Sequence, residues 1–170
     1  MSRAVKYSVK LSERWQDVSP FFEAYPEALA QVCSVAGDGK QDFYALTVRG
    51  MLEAVNGQVP NEWKERYKGG TVGEWCAMLN ALKAGISRFT EFMENTTPKQ
   101  TIEQKKALSG TIKGNLEEAV LMTLKSCFSL HDLEAATNLT VYEYMMARKE
   151  VFNEAQIAYN RSMAYAYARR

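Results

Sequence analysis

Residues 139–170 read LTVYEYMMARKEVFNEAQIAYNRSMAYAYARR. The stretch holds five tyrosines and three methionines, and neither glycine nor proline, the residues that most often end a helix. Thr140, followed three residues on by Glu143, is the signature of a capped helix start. Val141, Met145, Arg148, Phe152, Ala155, Tyr159, Ser162 and Ala166 then recur at alternating steps of four and three, the spacing of a heptad seam. Tyr144, Val151, Ala158 and Tyr165 widen the stripe on one side, while Lys149, Glu150, Asn153, Glu154 and Asn160 lie outside it. A chain carrying so long an unbroken helix is expected to be all-α.

Upstream the same period recurs. Thr71, with Glu74 as its capping partner, opens a helix expected to reach Asn95, with Val72, Trp75, Leu79, Leu82, Ile86, Phe89 and Met93 inward. Thr96-Thr97-Pro98 breaks it. Another long helix is expected from about Lys99 to Phe128, carrying Ile102, Ile112, Leu116, Val120, Thr123 and Cys127. Gly110 and Gly114 mark a kink or a close approach, and Lys99, Lys105, Lys106 and Lys113 make its first half a solvated face. Before residue 71, Ser19-Pro20 is expected to open a helix that runs through Pro26 to Val35. A second is expected from about Gln41 to Val55, with Phe43, Leu46, Gly50, Leu52 and Val55 inward, and a short third from Pro60 to Gly69.

The start is different. Val5, Tyr7, Val9 and Leu11 alternate with Lys6, Ser8 and Lys10, the period of a half-buried strand. With no second strand in the sequence, residues 1–12 are expected to form an extended arm, either a lead-in or a strand added to another subunit. The expectation is one helical domain over 1–170, a bundle with long C-terminal helices and a short N-terminal arm. A sub-boundary would fall at 95–98.

Composition narrows the function classes. The chain has 170 residues, 46% hydrophobic and 24% charged, the balance of a folded soluble domain. Its net charge of +1 supplies no field that would draw it onto nucleic acid or an anionic membrane. No apolar run approaches the roughly 20 residues of a membrane span, and Met1 to Tyr7 lacks a signal-peptide core. The protein is expected in the cytoplasm of the producing cell, or in a virion. Arg169 and Arg170 beside tyrosines would suit a headgroup layer, but the alanine-heavy face is a poor membrane anchor.

Cys33, Cys76 and Cys127 lie 43 and 51 residues apart in apolar surroundings, without the short rhythm of zinc ligands, and read as buried reduced thiols. The only histidine, His131, follows Cys127 by four residues across a helix stop, so no cysteine nucleophile is expected. There is no H-E-x-x-H, nucleophile elbow or phosphate loop, and His131 is preceded at three residues by Phe128, not by the glutamate of a helical di-metal site. No catalytic residue, metal or cofactor is expected, and the chain is read as a non-enzyme.

Leu130 to Val141 reads as a short helix, a turn at Asn138, and a new helix capped by Thr140, so residues 130–148 resemble a helix-turn-helix. Glu134 stands where such motifs favour alanine, and Tyr142, Glu143, Tyr144 and Met146 ahead of Arg148 are a poor set for phosphates and base edges. A small DNA-binding regulator is therefore the alternative reading. The segment LTVYEYMMARKEVFNEAQIAYNR also resembles the C-terminal part of small tailed-phage assembly proteins, in which an apolar-Thr-x-x-Glu entry leads into a long charged and aromatic helix. That resemblance implies a component of the neck or tail, or a tail assembly factor.

The stripe is expected to be covered by the protein's own helices up to about Tyr159. Beyond it, Tyr159, Met163, Tyr165, Tyr167, Arg169 and Arg170, together with Val5, Tyr7 and Val9 of the arm, are the candidate partner-binding residues. The partners expected are a second copy of the chain, as a homo-oligomer, and other proteins of a larger assembly.

Overall fold

The computed structural model describes residues 9–97, 116–127 and 133–169. The fold is all-α. Among the described residues the helices are α1 (Trp15–Ala24), α2 (Pro26–Val35), α3 (Val48–Val55), α4 (Asn61–Tyr67), α5 (Val72–Asn95), α6 (Leu116–Cys127), α7 (Leu133–Thr137) and α8 (Val141–Ala168), with a 3-10 turn over Phe43–Ala45. Val5, Tyr7, the basic stretch from Lys99 to Lys113, Gly110, Gly114, His131, Arg170 and the Cys127 side chain lie outside the described residues.

Two boundaries differ from the sequence reading. The first helical stretch is split at Tyr25 and begins earlier, at Trp15, so Pro20 lies inside α1. A residue before proline is driven out of the α region; Tyr25 takes φ −133 and ψ 74, and Pro26 occupies the first position of α2. The second stretch is split too. Leu46 and Thr47 are extended, and α3 starts afresh behind Thr47, whose side chain accepts from the Gly50 amide.

Thr47 exposes a pattern common to three helices. Thr47-Val48, Thr71-Val72 and Thr140-Val141 each place a threonine at the N-cap, accepting from the amide three residues on. Each puts a valine with 0% exposure directly behind it. The cap satisfies an orphan amide while the valine pins the first turn to the core. Helix starts are also stitched in pairs by isolated antiparallel bridges, Arg14 to Thr71 and Thr47 to Thr140. In the second pair, Val48 N donates to Leu139 O and Val141 N donates to Leu46 O, both at 2.8 Å.

Pairing helix N-termini brings two positive dipole ends together, and a carboxylate answers each threonine. Glu74 and Glu143 close capping boxes on Thr71 and Thr140. The hydrogen bonds from Thr140 hold the Glu143 carboxyl below its ordinary pKa. At Thr47 the local glutamate is missing, because position 50 is glycine. Glu62 of α4 takes its place, its Oε1 accepting from Thr47 N and Thr47 Oγ1, both at 3.1 Å. Gly50 makes this possible, since a Cβ there would overlap Glu62 Oε1. Gly50→Ala should therefore cost about 1 kcal/mol in denaturant unfolding, although alanine is the better helix former. An increase in stability would show that Glu62 is not needed in that space.

The core lies on both sides of α5. A larger cluster joins Phe43, Met51, Trp63, Met78, Phe89, Val120, Leu124 and Tyr144, among others. A smaller one joins Phe22, Ala28, Cys33, Val72 and Cys76. Because α5 serves both, its buried set includes Cys76, Met78 and Gly85, while Trp75, Leu79 and Ile86 are only half-buried. The Phe43 ring occupies the space a Cβ would fill at Gly85. The larger cluster takes side chains from either side of 95–98, so that stretch does not part the core.

Candidate partner-binding surface

α8 divides into a held root and an uncovered length. At the root Val141 and Tyr144 are buried, with the Tyr144 ring 5.8 Å from that of Phe89 and its hydroxyl donating to Met93 Sδ. One turn on, Arg148 is half-buried and spans three helices. Its Nε donates to Thr96 Oγ1 at 2.7 Å, its Nη1 to Thr123 Oγ1 at 2.6 Å, and its Nη2 to Thr97 Oγ1 at 3.1 Å and Met93 O at 3.3 Å. Each threonine spends its own proton on a carbonyl four residues back: Thr96 on Phe92, Thr97 on Met93, Thr123 on Ala119. The hydroxyl lone pairs are thus turned to the guanidinium. A cation at the C-terminal carbonyls of α5 also complements the negative end of that helix.

Arg148 therefore marks where α8 passes the end of α5. Phe152 is half-buried, and every described residue from Asn153 to Arg169 is exposed. This corrects the expectation that the chain covers its own stripe to Tyr159: the cover stops two turns sooner, because the partner helix has ended. Among the candidates, Tyr159 is 58% exposed, Tyr165 73% and Tyr167 68%, with Met163 and Arg169 exposed as well. Val151 and Ile157 join them, although the seam alone did not single them out.

At the root a groove of about 360 Å³ is lined by Tyr44, Phe92, Tyr142, Met145, Met146 and Lys149. Sequence reading weighed Tyr142 and Met146 only against DNA; the signal passed over is that both are large apolar residues off the buried seam. The arm behaves differently from the tip. Val9 packs against the smaller core cluster, and Glu13 O and Leu11 O accept from Val72 N and Gly73 N at 2.8 and 2.9 Å. Of the arm expected over residues 1–12, Leu11 is thus joined to the chain's own α5, while residues 1–8 lie outside the described residues.

Glu53 accepts from the Asn61 amide at the start of α4, completing the set of carboxylates at helix N-termini. Glu23 on α1 and Glu27 on α2 sit on separate helices and are exposed. Among the described residues no group of three or more His, Cys, Asp or Glu is arranged to hold a metal ion, and no helix is long and apolar enough to cross a membrane. No family model, curated protein or solved structure matches this chain.

Proposed function

We propose that this is a non-enzymatic assembly protein whose α8 tip is the contact element, binding further copies of the chain and other proteins of a larger assembly. The observation that carries the reading is the uncovered length of α8 beyond Phe152, with tyrosines, Met163 and Ile157 in water. Tyrosine offers large contact area with few rotamers to freeze, and these residue types are enriched where proteins meet. The resemblance of the C-terminal segment to tailed-phage proteins supports a place in a neck or tail, as a component or as an assembly factor. Native mass measurement across concentration tests the self-contact: discrete oligomers are expected, and a strict monomer at every concentration would remove it.

A DNA-binding regulator remains the second reading, because α7, the turn at Asn138 and α8 follow one another in helix-turn-helix order. Arg148, the first cation along α8, is instead held by Thr96 and Thr97 just past α5 and by Thr123 of α6. Duplex DNA is therefore expected to bind no more tightly than non-specifically at physiological salt. Sequence-specific nanomolar binding in a gel shift would favour the regulator.

A further inference from the structure

Cys33 on α2 and Cys76 on α5 belong to one buried cluster, between helices packed directly on each other. The two thiols are near enough to shift each other's titration, Cys33 downward and Cys76 upward. The contact is held from the side: Asn80 Nδ2, one turn along α5 from Cys76, donates to Cys33 O at 2.8 Å and to Gly37 O at 3.2 Å. The two residues differ in access. Cys33 keeps 8% of its surface, whereas Cys76 keeps none.

We infer that Cys33 and Cys76 form an oxidation site, in which a small peroxide converts the paired thiols into an intramolecular disulfide that ties α2 to α5. Donation from Cys76 favours the thiolate of Cys33 and holds its pKa below the ordinary thiol value, while Cys76, itself the donor and fully enclosed, is pushed up. Cys33 is the less enclosed of the two residues and the one a small peroxide meets first. Its thiolate attacks one peroxide oxygen, breaking the O–O bond to give a sulfenic acid and hydroxide, which takes up a proton to become water. The Cys76 sulfur then attacks the Cys33 sulfur; the S–O bond breaks, the S–S bond forms, and the hydroxyl leaves as a second water with the Cys76 proton. Two thiols are oxidised by two electrons and one peroxide is reduced to two waters. The bond closes a loop of 43 residues, which restricts the unfolded chain.

The test uses the full chain as Cys127→Ser, so that only this pair titrates, treated with a small excess of hydrogen peroxide. The expected product is a monomer on a non-reducing gel, two hydrogens lighter in intact mass. Neither cysteine should then alkylate after denaturation, and one cross-linked peptide should hold both. Its melting temperature should rise by several degrees and fall back with a dithiol reductant. In Cys76→Ser the resolving sulfur is gone, so Cys33 should instead be trapped by a sulfenic-acid reagent. If that variant does not fold, the mass and alkylation results on Cys127→Ser still decide. Two thiols that remain alkylatable, oxygen added to Cys33 without a cross-link, or a bond between chains would each overturn the inference.

Discussion

Removing Gln156 to Arg170 is expected to lower self-association or partner binding by roughly a hundredfold or more, while the melting temperature moves by no more than about 2 °C. The asymmetry follows from burial. Every described residue of the deleted stretch is exposed, so the folded body loses no core. The stretch does carry Ile157, Tyr159, Met163, Tyr165 and Tyr167, and truncating one interface aromatic commonly costs about 1–2 kcal/mol or more. A few such residues account for the hundredfold. Sedimentation equilibrium and a thermal melt on the same preparations check both halves. A fall of more than about 5 °C would mean that the stretch is core in solution.

The largest loss of stability from one surface-reaching side chain is expected at Arg148. Arg148→Ala should cost about 3 kcal/mol in denaturant unfolding, because it strips the charge-assisted hydrogen bonds that tie α8 to the end of α5 and to α6. Thr123, only 8% exposed, donates its hydroxyl proton to Ala119 O and accepts from a guanidinium nitrogen at 2.6 Å, so a close charge-assisted contact is lost from the interior. Arg148→Lys should recover only part of the loss, since one ammonium cannot reach Thr96, Thr97 and Thr123 together in the fork geometry of arginine. Equal stability of the lysine variant and the native chain would show that charge alone suffices there.

Much of this was legible in the residues. Thr71 with Glu74 and Thr140 with Glu143 carry cap and carboxylate within four consecutive positions, and both boxes form. Thr47 was missed because its carboxylate comes from Glu62, 15 residues away on another helix, and only folding brings it in. The break at Tyr25 was present in the sequence, in the rule that a residue before proline leaves the helical region. Gly85 was not: a glycine within a helix says nothing of which ring will lie on it, and Phe43 does. The extent of cover on α8 was equally hidden. Periodicity reports which residues share a face; it is silent on where a neighbouring helix stops. Val9 was read as a partner contact for the same reason, its neighbour, the smaller cluster, being unseen.

The paired starts of α3 and α8 have a mechanical side. From Val141 to Ala168, α8 is about 40 Å long at 1.5 Å per residue. It works as a lever whose fulcrum is the bridge at Thr140. A tilt of roughly 5° there would carry the tip about 3–4 Å, as far as a whole side-chain contact. A helix mounted at one point would sweep its tyrosines through a cone. This one has two mountings, the bridge to Thr47 and, two turns on, the arginine clamp on α5 and α6. Stiffness at the root thus becomes aim at the tip, and Arg148, far from the tip, fixes the direction in which its tyrosines are held.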